Sequence, residues 1–239
     1  MSKKLKICFM GTPVFAVSSL AKINNSNHEI VGVVTAVDKP AGRGRKLNES
    51  DVKKYAVQNE LPVYQPSNLK SDAFLNQLKE MNPDVIVVVA FRMLPKTVWD
   101  FPKFGTFNLH ASLLPKYRGA APIHWAIING EKETGVSTFF IDEKIDTGQI
   151  ILKKEEAISK DETVGSLYTK LMHIGAELVI ETLDLIAIHG KKITTKAQTL
   201  HEALPPAPKL TRENTKIDWN NRAETIYNLI RGLNPFQVF

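Results

Sequence analysis

The chain has 239 residues, 43% hydrophobic and 23% charged, with a formal net charge of +6, which fits one or two folded domains and favours an anionic partner without requiring one. Its one cysteine, Cys8, excludes an intramolecular disulfide and a cysteine zinc site, and we expect it in the core. No segment approaches the ~18 consecutive apolar residues of a membrane helix and no signal segment opens the chain, so we expect a cytoplasmic protein with no membrane partner.

The first half of the chain alternates short apolar runs with helical patterns. The runs predict strands at Leu5–Met10, Glu29–Ala36, Leu61–Tyr64, Asp84–Ala90 and Gly105–Leu109. The apolar spacing predicts helices at Val14–Ile23, Asp51–Glu60 and Asp72–Met81. Continuous apolar strands separated by helices are typical of a parallel sheet covered on both faces. We therefore predict an α/β fold with a Rossmann-like, doubly wound, mostly parallel sheet.

The second half has a different pattern. Two strands that are close in sequence, Gly135–Ile141 and Gln149–Glu155, predict an antiparallel hairpin. Amphipathic spacing predicts a long helix over Thr163–Ile188. The proline-rich stretch "ALPPAPKL" cannot propagate a helix and predicts a linker, and Arg222–Gly232 has the pattern of one more helix. We predict domain bounds at 1–189 for the main domain, 190–208 for the linker and 209–239 for the start of a second domain.

The first strand-to-helix turn, "GTPVF", differs from a dinucleotide-binding turn. It lacks the G-x-G-x-x-G pattern, and Pro13 removes a backbone donor from the place where a pyrophosphate would sit. No P-loop motif occurs either. These observations disfavour a classical NAD site and a nucleoside triphosphate site.

The stretch "DKPAGRGRKL", Asp38–Leu47, concentrates positive charge among glycines. Its cations are Lys39, Arg43, Arg45 and Lys46. A charge run of this kind is usually a solvated surface loop. The alternative is a basic finger that contacts a nucleic-acid backbone, where each cation can displace a counterion from a phosphate. Taken alone, the residues favour the surface loop over the finger.

A polar stretch, "NLHASLLPKYRGAAP", follows the last strand of the first half. Because side chains alternate along a strand, Asn108 and His110 point to the same face, where an amide and an imidazole can stabilise an oxyanion. Such a pair is usually turn chemistry, but Asp146 in the turn "IDTG" can supply a carboxylate that orients His110. The chain shows no histidine set with metal-ligand spacing and no G-x-S-x-G nucleophile, which leaves direct transfer between two bound substrates.

These motifs together resemble the methionyl-tRNA formyltransferase family. The resemblance rests on "ICFMGTPVFAVSSL", "DKPAGRGRKL", "FNLHASLLPKYRGAAPIHWAIINGEKETGVSTFFIDEKIDTGQII" and "APKLTRENTKIDW", in this order and spacing. It implies an enzyme that transfers the formyl group of 10-formyltetrahydrofolate to the α-amine of methionyl initiator tRNA, for translation initiation. The amine attacks the formyl carbon directly, and no metal takes part. The expected partners are the tRNA and the folate co-substrate, and the expected state is a monomer.

The resemblance also implies roles for individual residues. The residues that match the family's catalytic set are Asn108, His110 and Asp146. The residues that match its folate-binding segments are Phe91, Arg92, Met93, Leu94, Ser112, Leu113, Leu114 and Pro115. The residues that match its tRNA-binding loop are Lys39, Arg43, Arg45 and Lys46. Arg92 stands where many family members carry glycine, and its side chain either meets the glutamate tail of the folate or points to solvent.

The end of the chain departs from the family pattern. Family members continue into a β-barrel that binds tRNA, so we expect 209–239 to be the truncated start of that domain. Two alternatives therefore stay open. One is a folate-binding fragment with little turnover, and the other is a formyltransferase that acts on an amino sugar nucleotide, against which the basic loop argues.

Overall fold

The structure is a computed structural model that describes residues 3–41, 46–199 and 204–236. Among these residues no helix combines the length and the apolar composition that crossing a membrane requires. The chain divides into two compact units, which are described one at a time. The predicted domain bounds remain a prediction.

The first unit, Met1–Leu109 with Val179–Thr194, is built around parallel strands. Its strands are β1 (Lys6–Gly11), β2 (Glu29–Val34), β3 (Lys39–Ala41), β4 (Lys46–Asn48), β5 (Val63–Tyr64), β6 (Val85–Val89) and β7 (Thr106–His110). The strands β5, β2, β1, β6 and β7 lie side by side in that order, and each pair runs parallel. All five residues of β6 are buried, as expected for a strand covered on both faces.

The strand order places a topological switch in this sheet. From β1 the chain adds β2 and β5 on one side, and then β6 and β7 on the other. This order confirms the predicted Rossmann-like, doubly wound sheet. Ligands of such sheets bind beyond the carboxyl ends of the strands at the switch, which here means the turns that follow Gly11 and Val89.

The helices of the first unit begin and end at residues with clear local causes. They are α1 (Val14–Asn24), α2 (Asp51–Gln58), α3 (Asp72–Met81) and α4 (Lys96–Trp99). The side chain of Ser71 accepts a hydrogen bond from the backbone N–H of Phe74, and Asn82 ends α3 in the left-handed region at φ 44°. This confirms the predicted bounds of α3. The four residues of α4 are too few to give a periodic signal, and the sequence analysis missed this helix.

The basic stretch begins and ends as a hairpin, which the sequence analysis did not predict. Strands β3 and β4 pair antiparallel, with Lys39 opposite Asn48. Just before β3, the carboxylate of Asp38 accepts hydrogen bonds from the Lys53 ammonium and from the Gln65 amide. The hairpin is therefore held to the unit at its base, and the choice between a solvated surface loop and a basic finger remains a prediction.

The second unit, His110–Leu178 with Thr195–Phe239, has an antiparallel hairpin and helices. Its elements are α5 (Pro122–Ile128), β8 (Glu133–Phe140), β9 (Ile150–Ala157), the long helix α6 (Val164–His189), which extends into the first unit, and α7 (Ala223–Leu233). Strands β8 and β9 pair antiparallel, with Val136 opposite Lys154, which confirms the predicted hairpin. Helix α5 was missed because its seven residues are too few for a clear period.

Helix α7 packs against α5. A Cβ built on Gly232 would lie 2.6 Å from Cγ1 of Ile128, so the two backbones approach as closely as only glycine allows. The carbonyl of Gly232 accepts a hydrogen bond from Nδ1 of His124 at 2.8 Å. The guanidinium of Arg231 is buried and donates to Asn228 Oδ1 and to the carbonyl of Glu162. The predicted helix over Arg222–Gly232 is thus a packed part of the second unit.

Residues 195–210 are named the connecting segment, and 200–203 of them lie outside the described residues. The described residues of the segment are non-helical, as the proline-rich stretch predicted, and hydrogen bonds join several of them to the rest of the second unit. Lys196 exchanges two backbone hydrogen bonds with Ile150, at 2.8 and 2.9 Å. Ala207 donates to the carbonyl of Arg118 at 2.8 Å and accepts from Ala121 at 3.2 Å. The segment therefore supports the loop before α5 and the start of β9.

His28 is a buried histidine in the first unit. Leu5 donates its backbone N–H to Nδ1 of His28 at 3.4 Å, so the ring proton lies on Nε2, which faces Asp184 at 3.4 Å. Burial lowers the pKa of His28, and the partly exposed Asp184 carboxylate opposes this effect without reversing it. The fold therefore favours the neutral imidazole.

We expect the stability of the fold to fall between pH 7.5 and 5.5, because the unfolded chain protonates His28 more readily than the folded chain. The free energy of unfolding, measured with urea, should fall less over this interval in a His28→Gln variant than in the wild type. The difference between the two losses should be at most about 1 kcal/mol. His173 is exposed on α6, so His173→Gln is the matched control and should keep the wild-type slope. An unchanged slope in His28→Gln would contradict the prediction.

Candidate active site

His110 lies at the end of β7, and its side chain is buried. Its Nε2 atom is 2.8 Å from the backbone carbonyl oxygen of Tyr117. Because a carbonyl can only accept, Nε2 carries a proton and donates it to this oxygen. The other nitrogen, Nδ1, faces Asp146. The hydrogen bond to Tyr117 therefore occupies Nε2, and Nδ1 is the ring nitrogen that can act on a substrate.

Tyr117 is the support of His110, and the sequence analysis missed it. Its backbone has φ 58°, a left-handed conformation that is strained for an aromatic residue. The backbone N–H donates to the carbonyl of Pro205 at 2.7 Å. The buried hydroxyl donates to Glu131 at 2.8 Å and accepts from Asn129 at 3.2 Å. These contacts hold the strained backbone so that its carbonyl meets the imidazole.

Asp146 lies in the loop between β8 and β9, with its side chain 13% exposed. Its Oδ2 atom accepts the backbone N–H of Gly119 at 3.0 Å and lies 3.9 Å from Nδ1 of His110. The second distance is too long for a direct hydrogen bond. The carbonyl of Tyr117 holds the His110 ring directly, and the role of Asp146 toward His110 remains a prediction.

Asn108, the third predicted catalytic residue, lies two residues before His110 on the same strand. It pairs with Val88 in the register of β6 and β7 and is half-buried. Because side chains alternate along β7, those of Asn108 and His110 point to the same side of the strand. Within the second unit, the structure brings His110 and Asp146 together; the role of Asn108 remains a prediction from strand position.

The predicted folate segment Ser112–Pro115 is a tightly bonded turn. Ser112 is fully buried, and its hydroxyl donates to the carbonyl of Lys116 at 2.7 Å. The hydroxyl of Ser137 donates to the carbonyl of Ser112 at 2.7 Å and accepts from the N–H of Leu114 at 3.1 Å. The polar groups of Ser112 and Leu114 therefore serve the turn itself.

The side chain of Leu114 packs inside the second unit with Phe139 and Ile150. Its carbonyl accepts a hydrogen bond from the ammonium of Lys153, and burial together with the nearby Lys196 lowers the pKa of Lys153. Leu113 and Pro115 are the half-buried members of the turn, and they are its candidates for ligand contact.

The other predicted folate segment, Phe91–Leu94, follows β6 at the switch of the sheet. An open cavity of about 370 Å³ lies here, lined by residues 67–70 and 92–95. Arg92 is exposed, and its guanidinium donates to the carbonyls of Ser67, at 3.0 Å, and Pro66. Arg92 thus braces a neighbouring loop, which neither of its two expected roles anticipated.

The four basic residues predicted to bind tRNA are only partly described. Lys39 is exposed on β3. Lys46 is described by its backbone in β4 alone, and Arg43 and Arg45 lie outside the described residues. Among the residues that the structure describes, no three His, Cys, Asp or Glu side chains are grouped so that they could hold a metal ion.

The sequence of this chain matches known protein families. A family profile described as Formyl transferase matches residues 4–183, and a second, Formyl transferase, C-terminal domain, matches residues 209–239. These matches cover the β-sheet, His110 and Asp146. The chain belongs to the formyl transferase family, whose members are transferase enzymes.

Individual relatives and one solved structure are similar to this chain over most of its length. The chain is 58% identical over 235 residues to a protein of Flavobacterium psychrophilum named methionyl-tRNA formyltransferase, covering 98% of this chain and 74% of that protein. It is 56% identical over 234 residues to a protein of the same name from Flavobacterium johnsoniae, with the same coverage. A crystal structure of an N-formyltransferase from Helicobacter canadensis, in complex with folinic acid and dTDP-3-aminofucose, matches at 25% identity with a TM-score of 0.71, over 95% of this chain and 80% of that one.

We expect Tyr117→Phe to lower the free energy of unfolding by about 1–2 kcal/mol, because it leaves the partly buried carboxylate of Glu131 without the hydroxyl that donates to it. Urea unfolding measures this loss. The matched control is Tyr227→Phe, whose exposed hydroxyl donates to Asp161 at 2.9 Å and should contribute less than about 0.5 kcal/mol. Equal losses in the two variants would contradict a supporting role for the Tyr117 hydroxyl.

Proposed function

We propose that the chain transfers the formyl group of 10-formyltetrahydrofolate to the α-amine of methionyl initiator tRNA, for translation initiation. The observation that carries the proposal is the approach of His110 Nδ1 to Asp146 Oδ2, at 3.9 Å, in a chain of this family. Nδ1 faces the carboxylate across this distance, and an acid and a base that lie so close together can act on one substrate centre. The names of the two Flavobacterium relatives support this acceptor.

The mechanism follows from the free ring nitrogen and the nearby carboxylate. The α-amine attacks the formyl carbon, and its nitrogen forms the new bond while the carbonyl oxygen becomes an oxyanion. Protonated Nδ1 of His110 and the amide of Asn108 donate to that oxyanion. Asp146 accepts the proton that the amine loses. The oxyanion then re-forms the carbonyl as the bond from carbon to N10 of the folate breaks. N10 takes up the proton that Asp146 accepted, so tetrahydrofolate leaves and the carboxylate is restored.

The co-substrate of the proposal is a folate. The Helicobacter canadensis neighbour was crystallised with folinic acid, and the switch of the sheet in this chain is where such folds bind ligands. In the first unit, the residues that we propose to contact the folate are Phe91, Met93 and Leu94 after β6. In the second unit, they are Leu113 and Pro115 in the turn. Ser112 and Leu114 would stabilise that turn, and Arg92 would brace the neighbouring loop at Pro66 and Ser67.

The acceptor is proposed to be tRNA and not an amino sugar nucleotide. The identity to the relatives named for methionyl-tRNA is 58%, against 25% to the neighbour crystallised with a dTDP-sugar. The basic hairpin that begins at Lys39 also fits a phosphate backbone. A side-by-side assay with initiator tRNA and dTDP-amino sugars tests the choice, and turnover of the sugar alone would overturn it. Folate binding without transfer to either acceptor would support the fragment alternative.

We expect His110→Ala and Asp146→Asn each to lower kcat by about 100-fold or more, because each removes a group that acts in the transition state. The measurement is formylation of methionyl-tRNA from 10-formyltetrahydrofolate, resolved by acid gel electrophoresis. His173→Ala, on an exposed face of α6, is the control and should keep wild-type turnover. Near-normal kcat in either site variant would contradict the mechanism.

We expect Arg43→Ala to weaken tRNA use in a salt-dependent way. Loss of one phosphate contact should raise KM for tRNA and reduce the slope of log KM against log salt by about 1, with KM for the folate unchanged. Steady-state kinetics at several salt concentrations measure both. Lys160→Ala removes an exposed cation elsewhere and is the control. Equal loss of folate and tRNA use would argue against a tRNA-specific role.

A further inference from the structure

One glutamine of the connecting segment grips the loop that carries Asp146. The side-chain nitrogen of Gln198 donates to the backbone carbonyls of Asp146, at 3.0 Å, and Gly148, at 2.7 Å. The two hydrogens of a single amide nitrogen thus span Thr147. Gln198 is half-buried, which shields these bonds partly from water. The loop is held here by a side chain from a distant part of the sequence.

The side-chain oxygen of Gln198 links it to the residues beside the Asp146 carboxylate. The Oε1 atom of Gln198 accepts a hydrogen bond from the guanidinium of Arg118. The next residue, Gly119, donates its backbone N–H to Oδ2 of Asp146 at 3.0 Å. Asp146 is therefore held at its backbone by Gln198 and at its carboxylate by the residue that follows Arg118. Arg118 contacts Gln198 through its side chain and Gly119 contacts Asp146 through its backbone N–H, so two neighbouring residues take part in holding Asp146.

The loop needs this support because its own conformation is strained. Asp146 has φ 53°, a left-handed conformation that is unfavourable for a non-glycine residue. A Cβ on Gly148 would lie 1.7 Å from the carbonyl oxygen of Phe140, so this turn is also tightly closed. Hydrogen bonds inside the loop join the Thr147 hydroxyl to Asp142 and Lys144. Gln198 adds bonds from outside the loop at Asp146 and Gly148, on either side of Thr147.

We propose that Gln198 is a positioning residue of the active site, which fixes the carboxylate of Asp146 relative to Nδ1 of His110. The inference rests on the proposed function, because it assigns Gln198 to the proton transfer that Asp146 is proposed to perform. Gln198 has no direct part in the chemistry. It determines where the base stands, and misplacement of a reacting group by about 1 Å can cost 100-fold in rate.

The test is the isosteric variant Gln198→Glu, which removes both donors and keeps an acceptor for Arg118. We expect kcat for formyl transfer to fall about tenfold or more, with KM for folate and tRNA within about twofold of wild type. Gln198→Ala removes the same donors without adding a negative charge that could attract Arg118. We expect its kcat to fall by a similar factor. The control Gln77→Glu makes the same change on the exposed face of α3 and should behave as wild type. Wild-type kcat in both Gln198 variants would overturn the proposal.

A double-mutant cycle separates positioning from general structural damage. In an Asp146→Asn background, Gln198→Ala should cost less than about twofold in single-turnover rate with enzyme in excess, because the group that it positions is already lost. Full multiplication of the two effects would show that Gln198 acts by another route and would overturn the proposal.

Hydrogen exchange tests the hold on the loop without any substrate. In Gln198→Glu, amides of residues 142–149 should exchange faster, while those of β6 and α3 keep their protection. Unchanged exchange in 142–149 would overturn the proposal even if the enzyme is active. Conversely, absence of formyl transfer in the wild-type chain together with loosening of the loop would refute the proposed function and leave the hold of Gln198 in place.

Discussion

The hydrogen bond from Nε2 of His110 to the carbonyl of Tyr117 is the constraint on which the site depends. It fixes the rotation of the imidazole and the position of its proton, so Nδ1 is the nitrogen presented to Asp146. A carbonyl can reach the ring in this way only because Tyr117 adopts φ 58°. That conformation is unfavourable, so it must be held from elsewhere. The hydroxyl contacts with Glu131 and the bond to Pro205 do this.

The fold follows from the sequence wherever an element carries its own signal. Strand β6 is a run of five buried β-branched residues, and α3 lies between a serine cap and an asparagine that ends it. Both were predictable because their causes are local. Elements that are short, such as α4 and α5, do not contain enough turns for a period to show. The hairpin of β3 and β4 was also hard to predict, because its strands have three residues each. Its base is held by bonds from Lys53 and Gln65 to Asp38, and both donors lie outside the basic stretch.

The same distinction separates what could be predicted of the site from what could not. His110 and Asp146 have side chains whose chemistry can be seen in a sequence, and the structure brings them together. Their supports act through backbone atoms: Tyr117 offers a carbonyl, and Gln198 binds carbonyls. Every residue has a carbonyl, so no residue type marks these partners. Ser112 is the opposite case, because its side chain looks suited to binding a ligand in the sequence. In the structure its hydroxyl donates to the nearby carbonyl of Lys116 instead.

Part of the hydrogen bonding that supports the site comes from residues beyond the match to the catalytic family. The Formyl transferase profile ends at residue 183 and contains His110, Asp146 and Tyr117. Two further supports follow it in the sequence: Pro205, which binds Tyr117, and Gln198, which binds the loop of Asp146. The connecting segment therefore supports the proposed site as well as leading to the C-terminal region. Because it binds both Tyr117, whose carbonyl orients His110, and the loop of Asp146, displacing it would disturb both groups at once.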